Sequence, residues 1–216
     1  MQLERYIDHT ILKPTATPMA IRQLCAEARE FNFYAVCVNS CYVALAKEEL
    51  KDSGIKIAAV IGFPLGAMST ESKLYEAQFC IEHGADEIDM VINIGWLKFE
   101  EYRLVKDEIT KIKQAIGSRK LKVIIETCYL TAEEKKIASM LVVEGKADFV
   151  KTSTGFGSGG ATFEDIELIK RVIQNKIQIK ASGGIKDRIT AKRYLDMGVS
   201  RLGTSSGIAI VTDSNS

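Results

Sequence analysis

Short apolar runs alternate with longer amphipathic segments along most of the chain. The apolar runs are typical of strands buried on both faces, and the longer segments have helical spacing. The predicted strands are 6–12, 34–40, 56–61, 87–92, 122–126, 147–150, 177–181 and 200–203. The predicted helices are 19–29, 42–51, 70–83, 99–116, 131–144, 163–174 and 187–197. The chain is therefore a repetition of strand–helix units.

Eight such units predict an α/β fold, a (β/α)8 TIM barrel that forms one domain over residues 1–216. An open, doubly wound sheet is the alternative for the same alternation. It is disfavoured because no G-x-G-x-x-G motif follows the first strand and no change in composition divides the chain. The prediction is one barrel.

The composition is that of an ordinary globular protein. The 216 residues are 46% hydrophobic and 26% charged, with a formal net charge of +1. So small a charge gives no electrostatic reason to expect a nucleic acid or a membrane surface as partner. The segment MQLERYIDHT lacks the apolar core of a signal peptide, and no run of about 18 apolar residues occurs. Five cysteines without a CxxC pair favour a reducing compartment, so we expect a cytoplasmic protein.

Two lysines stand at the ends of consecutive predicted strands, where a barrel forms its active site. Lys151 follows the apolar residues 147–150, and Lys180 lies in QIKASGG at the end of the next strand. Burial disfavours the charged amine, and a second lysine on a strand about 4.7–4.9 Å away lowers the pKa further. A neutral lysine can form a Schiff base with a carbonyl substrate. Either lysine alone would more commonly extend to solvent, but the pair favours a catalytic amine.

Two acids are candidates for acid–base catalysis. Asp89 lies in the apolar run EIDMVIN, where a carboxylate is costly unless it is paired. An inward Asp89 could exchange protons with one of the lysines or only neutralise it. Asp8, in YIDHT, has the same two interpretations, and a structural role or a contact to a substrate hydroxyl is favoured. Both interpretations stay open for both acids.

Two glycine-rich turns follow the last two predicted strands. SGGI at 182–185 follows the seventh strand, and GTSSG at 203–207 follows the eighth. Barrels frequently bind phosphate between these two loops, through backbone N–H groups that glycine leaves accessible. Ser205 and Ser206 can add hydroxyl donors. The alternative is an ordinary turn and helix cap, but two such turns in these positions predict a phosphate site.

No metal site is predicted. His9 and His83 are too few and too dispersed for one, and Cys37 is expected to be a small buried residue. No nucleophile–histidine–acid arrangement can be assigned either. An imine-forming lysine beside a phosphate site instead predicts an enzyme without a cofactor. Such an enzyme would make or break a carbon–carbon bond in a phosphorylated carbonyl compound.

Five motifs, in order along nearly the whole chain, resemble those of the deoxyribose-phosphate aldolase family. They are IDHTILKP at 7–14, EIDMVINIG at 87–95, FVKTSTGF at 149–156, IKASGGI at 179–185 and RLGTSSG at 201–207. The resemblance implies a metal-independent class I aldolase on a (β/α)8 barrel. Such enzymes reversibly cleave 2-deoxy-D-ribose 5-phosphate to D-glyceraldehyde 3-phosphate and acetaldehyde.

The resemblance also implies roles for individual residues. Lys151 matches the Schiff-base lysine, and Lys180 and Asp89 match the residues that donate and accept protons. The positions that match substrate- or phosphate-binding residues are Asp8, Thr10, Cys37, Thr154, Gly155, Gly183, Gly184, Gly203, Ser205 and Ser206.

The sequence departs from the family pattern in three places. Phe156 stands where some members have a lysine near the phosphate, so we expect phosphate affinity to differ. The tail GIAIVTDSNS lacks the tyrosine that in some members assists proton exchange at the acetaldehyde-derived carbon, so water or Asp89 is expected to serve instead. The segment after Gly203 is short, which predicts a stunted closing helix.

The expected partners are a sugar phosphate and acetaldehyde, and the resemblance implies a homodimer or homotetramer. Two other functions stay open on the sequence. One is another Schiff-base barrel, such as a transaldolase-like or keto-acid aldolase enzyme, which would use a different donor carbonyl. The other is a barrel that binds sugar phosphates without catalysis, against which the presence of Lys151, Lys180 and Asp89 together argues.

Overall fold

A computed structural model describes residues 2–213 and contains a closed barrel of eight parallel strands. Each strand pairs with the next one along the chain, and the last strand pairs with the first. The strands are β1 (Ile7–Thr10), β2 (Ala35–Asn39), β3 (Lys56–Ile61), β4 (Glu87–Val91), β5 (Lys120–Ile124), β6 (Phe149–Lys151), β7 (Gln178–Ser182) and β8 (Arg201–Thr204). The predicted TIM barrel is confirmed.

Nine α-helices lie within residues 2–213 and surround the barrel. They are α1 (Pro18–Glu30), α2 (Val43–Glu49), α3 (Thr70–Glu82), α4 (Ile94–Lys98), α5 (Tyr102–Ile116), α6 (Ala132–Glu144), α7 (Phe163–Ile173), α8 (Arg188–Asp196) and α9 (Gly207–Thr212). The six residues of α9 agree with the short closing helix expected from the sequence. Within this part of the chain, no helix is both long and apolar enough to span a membrane.

Hydroxyl residues fix where several helices begin. The side chains of Thr17, Ser69 and Thr131 each accept a hydrogen bond from a backbone N–H three residues further on. At α6 the backbone N–H of Thr131 also donates to the side chain of Glu134 at 2.7 Å, which completes a reciprocal capping box. These caps orient the helices that follow β1, β3 and β5.

The segment 99–116 does not form one helix, so that prediction was wrong. Phe99 is the C-terminal cap of α4, Glu100 has a φ of 63°, and α5 begins only at Tyr102. The backbone N–H of Glu101 donates to the carbonyl of Trp96 at 2.9 Å, a bond that ends α4 and turns the chain. Hydrophobic spacing continues across the turn, and for that reason the sequence pattern alone does not mark it.

The apolar core lies between the barrel and its helices, whereas the interior of the barrel is largely charged. In β4, for example, Ile88 and Met90 join the outer apolar core. The alternate residues Glu87 and Asp89 are also buried, but they form ion pairs inside the barrel. Strand alternation therefore separates an apolar outer layer from a polar interior that leads to the mouth of the barrel.

Candidate active site

Lys151 ends β6 at the mouth of the barrel, and its side chain is only 3% exposed. Its Nζ atom donates to Oδ2 of Asp89 at 2.8 Å. Burial lowers the pKa of Lys151 from its ordinary value of 10.5. Asp89 opposes this shift, and Lys180 reinforces it. The amine is therefore more readily neutral than that of an exposed lysine, which is the state that attacks a carbonyl.

Asp89 binds three lysines at once. Its Oδ1 atom accepts a hydrogen bond from Lys122 at 2.8 Å. Its Oδ2 atom accepts from both Lys151 and Lys180, each at 2.8 Å. Burial by itself would raise the pKa of Asp89, but the three ammonium groups hold it well below 3.8. The carboxylate therefore stays ionised and links the two lysines predicted from the sequence.

Lys180 lies beside Lys151, as their positions on consecutive strands predicted. The two residues are register partners in β6 and β7, and Lys180 is fully buried. Its Nζ atom donates to Asp89 and also contacts the carboxylate of Asp8. Burial favours the neutral amine of Lys180, but the two carboxylates outweigh it and raise the pKa above 10.5. Lys180 is therefore the charged member of the lysine pair.

Three further charged residues complete the interior, and the sequence analysis assigned none of them a role: Glu87, Lys122 and Arg201. Lys122 Nζ lies 2.5 Å from Oε2 of Glu87, and Arg201 bonds both Glu87 and Asp8. The sequence does indicate that Glu87 points into the barrel, since it precedes Asp89 by two residues and so shares its face of β4. For Lys122, the sequence clue is that a lysine interrupts the apolar run LKVII at 121–125.

A cavity of about 750 Å³ opens at the mouth of the barrel beside Lys151. Eight of the predicted substrate- or phosphate-binding residues line it: Thr10, Thr154, Gly155, Gly183, Gly184, Gly203, Ser205 and Ser206. Asp8 and Cys37 do not line it and are fully buried. Asp8 bonds Lys180 and Arg201, while Cys37 belongs to a small buried apolar group with Leu12, Ala58 and Val60.

The glycine turn after β7 is closely packed against the loop after β6. Gly183 and Gly184 have φ values of 84° and 80°, which favour glycine. A Cβ atom on Gly160 would lie 2.2 Å from the carbonyl oxygen of Gly183, so the two backbones meet without room for a side chain. In β8, a Cβ on Gly203 would lie 3.0 Å from Cε of Lys180. Glycine thus allows the cavity wall and the buried lysine to come together.

Glu126 fixes the loop that follows Lys151. This carboxylate is 2% exposed, follows β5 and has a φ of 53°. It accepts hydrogen bonds from the backbone N–H and the hydroxyl of Thr154. The hydroxyl of Thr154 in turn accepts from the backbone N–H of Phe156 at 3.0 Å. Glu126 therefore positions the residues that form one wall of the cavity.

Phe156 and two lysines form the outer part of the cavity. Phe156 packs edge-on against Phe63, with 5.3 Å between ring centroids. Lys13 and Lys186 line the same cavity, and neither forms an ion pair with any described residue. Among the described residues that line the cavity there is no Asp or Glu. The sequence analysis did not identify Lys13 and Lys186, although Lys13 lies in the motif IDHTILKP and Lys186 directly follows IKASGGI.

This fold and site are those of a barrel aldolase: a closed (β/α)8 barrel with a buried amine beside a cavity at the carboxyl ends of its strands. A family model described as "DeoC/LacD family aldolase" matches residues 4–211. The deoxyribose-phosphate aldolase of Coprothermobacter proteolyticus is 52% identical over 213 residues, 99% of this chain and 97% of that protein. The chain belongs to the DeoC/LacD aldolase family and is a carbon–carbon lyase.

Solved structures agree with this assignment. The structure described as "QR15, an Aldolase" superposes with a TM-score of 0.93 at 42% identity, covering 97% of this chain and 94% of that one. The tetrameric deoxyribose phosphate aldolase from Aeropyrum pernix superposes with a TM-score of 0.88 at 30% identity, covering 97% and 89%. Both the fold and the sequence therefore relate this chain to aldolases over nearly its full length.

Proposed function

We propose that this chain reversibly cleaves 2-deoxy-D-ribose 5-phosphate to D-glyceraldehyde 3-phosphate and acetaldehyde, with Lys151 as the Schiff-base amine. The observation that carries the proposal is the position of Lys151, which is 3% exposed, has a lowered pKa and lines the cavity. The 52% identity to a deoxyribose-phosphate aldolase supports the choice of substrate.

The charge of the cavity supports a phosphorylated substrate. Lys13 and Lys186 line its outer part without an ion-pair partner among the described residues, and no described Asp or Glu opposes them. The turn at Gly183 and Gly184 can present backbone N–H groups to a phosphate. The two lysines would supply positive charge at the site where Phe156 supplies none.

The reaction begins with attack of the neutral Lys151 amine on C1 of the open-chain sugar. Protonation of the carbinolamine hydroxyl and its loss as water then leave an iminium ion. Loss of the proton from the C3 hydroxyl allows the C2–C3 bond to break. The electron pair of that bond moves onto the iminium group to give an enamine, and C3 leaves as the aldehyde of glyceraldehyde 3-phosphate. Protonation of the enamine at C2 and hydrolysis then release acetaldehyde and regenerate the amine.

Asp89 and Lys180 would move the protons in these steps. Oδ2 of Asp89 accepts hydrogen bonds from both Lys151 and Lys180, so a proton can pass between the two amines through one oxygen. Lys180 carries the proton to be transferred, because its two carboxylate partners, against the effect of burial, raise its pKa and keep it charged. Direct substrate contacts of Asp8 and Cys37 stay predictions.

Borohydride trapping tests the proposal. The protein is incubated with acetaldehyde and sodium borohydride, and the modified peptide is identified by mass spectrometry. We expect an N-ethyl group on Lys151 and none in Lys151→Ala, together with cleavage of 2-deoxy-D-ribose 5-phosphate by the unmodified chain only. An adduct on Lys180 would exchange the roles of the two lysines. Cleavage activity that survives in Lys151→Ala would exclude the mechanism.

We also propose that the chain forms a homodimer or homotetramer. The relative from Aeropyrum pernix is described as tetrameric, and this chain exposes large apolar side chains such as Met19, Leu65, Tyr75 and Phe99. Size-exclusion chromatography with light scattering should give an oligomeric mass, and a monomer at all concentrations would contradict the proposal. A cytoplasmic location stays a prediction.

A further inference from the structure

Six charged side chains inside the barrel form a closed ring in which acids and bases alternate. In order around this ring the residues are Asp8, Lys180, Asp89, Lys122, Glu87 and Arg201, which returns to Asp8. On the side nearer the cavity, Lys180 bridges the two aspartates, in contact with Asp8 and 2.8 Å from Oδ2 of Asp89. We call these six residues the charge ring.

The far side of the charge ring is closed by a lysine and an arginine. Lys122 Nζ lies 2.8 Å from Oδ1 of Asp89 and 2.5 Å from Oε2 of Glu87. Arg201 Nη1 lies 3.1 Å from Oε2 of Glu87 and 2.9 Å from Oδ1 of Asp8. Lys122 Nζ also lies 3.8 Å from Oδ2 of Asp8, across the ring. Every cation of the ring thus pairs with at least two carboxylates, and three positive charges match three negative charges.

Lys151 is attached to this ring but is not part of it. It has one carboxylate partner, Asp89, which two cations of the ring already share. Lys180 and the thiol of Cys37 also act on it electrostatically, and burial raises the pKa of that thiol, which keeps it neutral. Glu126, a buried acid in the loop that follows β5, bonds Thr154 rather than the ring. Protonated Lys151 would therefore add an unmatched charge to a buried site.

We propose that Arg201 and Glu87 are positioning residues that keep the charge ring neutral and thereby leave Lys151 as a free amine. The inference rests on the proposed function of Lys151. Neither residue lines the cavity at the mouth of the barrel, so neither can touch the substrate there. Arg201 is held by the ring of Tyr34, 3.5 Å from its guanidinium carbon, and the Tyr34 hydroxyl lies 3.4 Å from Oε1 of Glu87. The two charges are thus fixed in place from outside the active site.

Removing the charge of Arg201 or of Glu87 should shift the pH at which Lys151 loses its proton, and the two shifts should have opposite signs. Arg201→Met leaves the ring with one excess negative charge, which favours the ammonium form of Lys151. Glu87→Gln leaves one excess positive charge, which favours the free amine. The double variant restores neutrality. A purely structural role would make all three variants less stable but would not produce shifts of opposite sign.

The test is a titration of Lys151 in the full chain. The rate at which acetic anhydride acetylates Lys151 is measured against pH by peptide mass spectrometry, alongside the pH profile of kcat/KM. The midpoint should rise by about one pH unit in Arg201→Met and fall by about one unit in Glu87→Gln. The double variant and the charge-conserving Arg201→Lys should return it to within about 0.3 unit of the unmodified chain.

Unshifted midpoints in folded single variants, or shifts of the same sign in both, would overturn the inference. If Arg201→Met does not fold, Glu87→Gln and the double variant still differ by one ring charge, and their midpoints should differ by about one unit. The acetylation titration does not require turnover. Failure of the aldolase proposal, seen as no N-ethyl adduct on Lys151, is therefore distinguishable from failure of the charge-ring inference.

Discussion

Lys151 and Lys180 donate to the same oxygen atom, Oδ2 of Asp89, each at 2.8 Å, yet their pKa values move in opposite directions. Both lysines are buried, and burial favours the neutral form of each. Lys180 has a second carboxylate partner in Asp8, and this pairing raises its pKa. Lys151 has none, so burial prevails. One extra carboxylate thus distinguishes the proposed nucleophile from the proposed proton donor.

Replacing Lys180 should test that division of roles. In Lys180→Met we expect kcat for sugar cleavage to fall by about 10²–10⁴-fold, because the proton donor is lost. The acid limb of the kcat/KM profile should also move to higher pH, because removal of a neighbouring positive charge raises the pKa of Lys151. Lys192→Met is the matched control, since Lys192 is exposed and, within residues 2–213, forms an ion pair only with Asp196. A rate and profile like those of the control would contradict the assignment.

Stability should fall in acid because of the buried aspartates. Ammonium and guanidinium groups, against the effect of burial, hold the pKa values of Asp8 and Asp89 below 3.8 in the folded state. The unfolded chain therefore binds more protons as the pH falls, and stability decreases with it. The stabilisation that these two carboxylates provide is complete at pH values above their pKa in the unfolded chain. It is lost as the pH falls below that value toward their lower pKa in the folded state. Urea denaturation at a series of pH values should show this loss, and a smaller one in Asp8→Asn.

The buried ion pair between Lys73 and Glu108, which lies outside the charge ring, should be purely structural. Lys73 Nζ, between α3 and α5, lies 2.8 Å from Oε2 of Glu108 and donates to the carbonyl of Val91. Glu108→Ala should lower the free energy of unfolding by about 3–5 kcal/mol, because it leaves a buried ammonium group unpaired. Lys73→Met combined with Glu108→Leu should recover much of this loss. Urea denaturation measures both, and a loss below about 1 kcal/mol in Glu108→Ala would refute the expectation.

Gly160 offers a test of the proposed phosphate site that leaves the lysines intact. Its Cβ in Gly160→Ala would lie 2.2 Å from the carbonyl oxygen of Gly183, so the glycine turn must shift. We expect KM for 2-deoxy-D-ribose 5-phosphate to rise by about tenfold, equivalent to about 1.4 kcal/mol. The KM for unphosphorylated 2-deoxyribose serves as the internal control and should not change. Equal effects on both sugars would place the phosphate elsewhere.

The sequence predicted the barrel and the central residues of the site because both depend on local pattern. Buried strands carry continuous apolar runs, and a charge at the end of such a run is conspicuous. Lys151, Lys180 and Asp89 were found in this way, and the structure brings all three into contact. The break at Glu100 was not found, because hydrophobic spacing continues through it while the backbone turns.

By itself, then, the sequence determined the order of the eight strands, the family resemblance and the residues that could react. Only the tertiary structure decided which charges share partners. Arg201 reaches Asp8, 193 positions away, because β8 closes against β1, and no local pattern encodes that contact. The protonation of a buried amine depends on the sum of the charges around it. The distinction between Lys151 and Lys180 is therefore a property of the closed barrel.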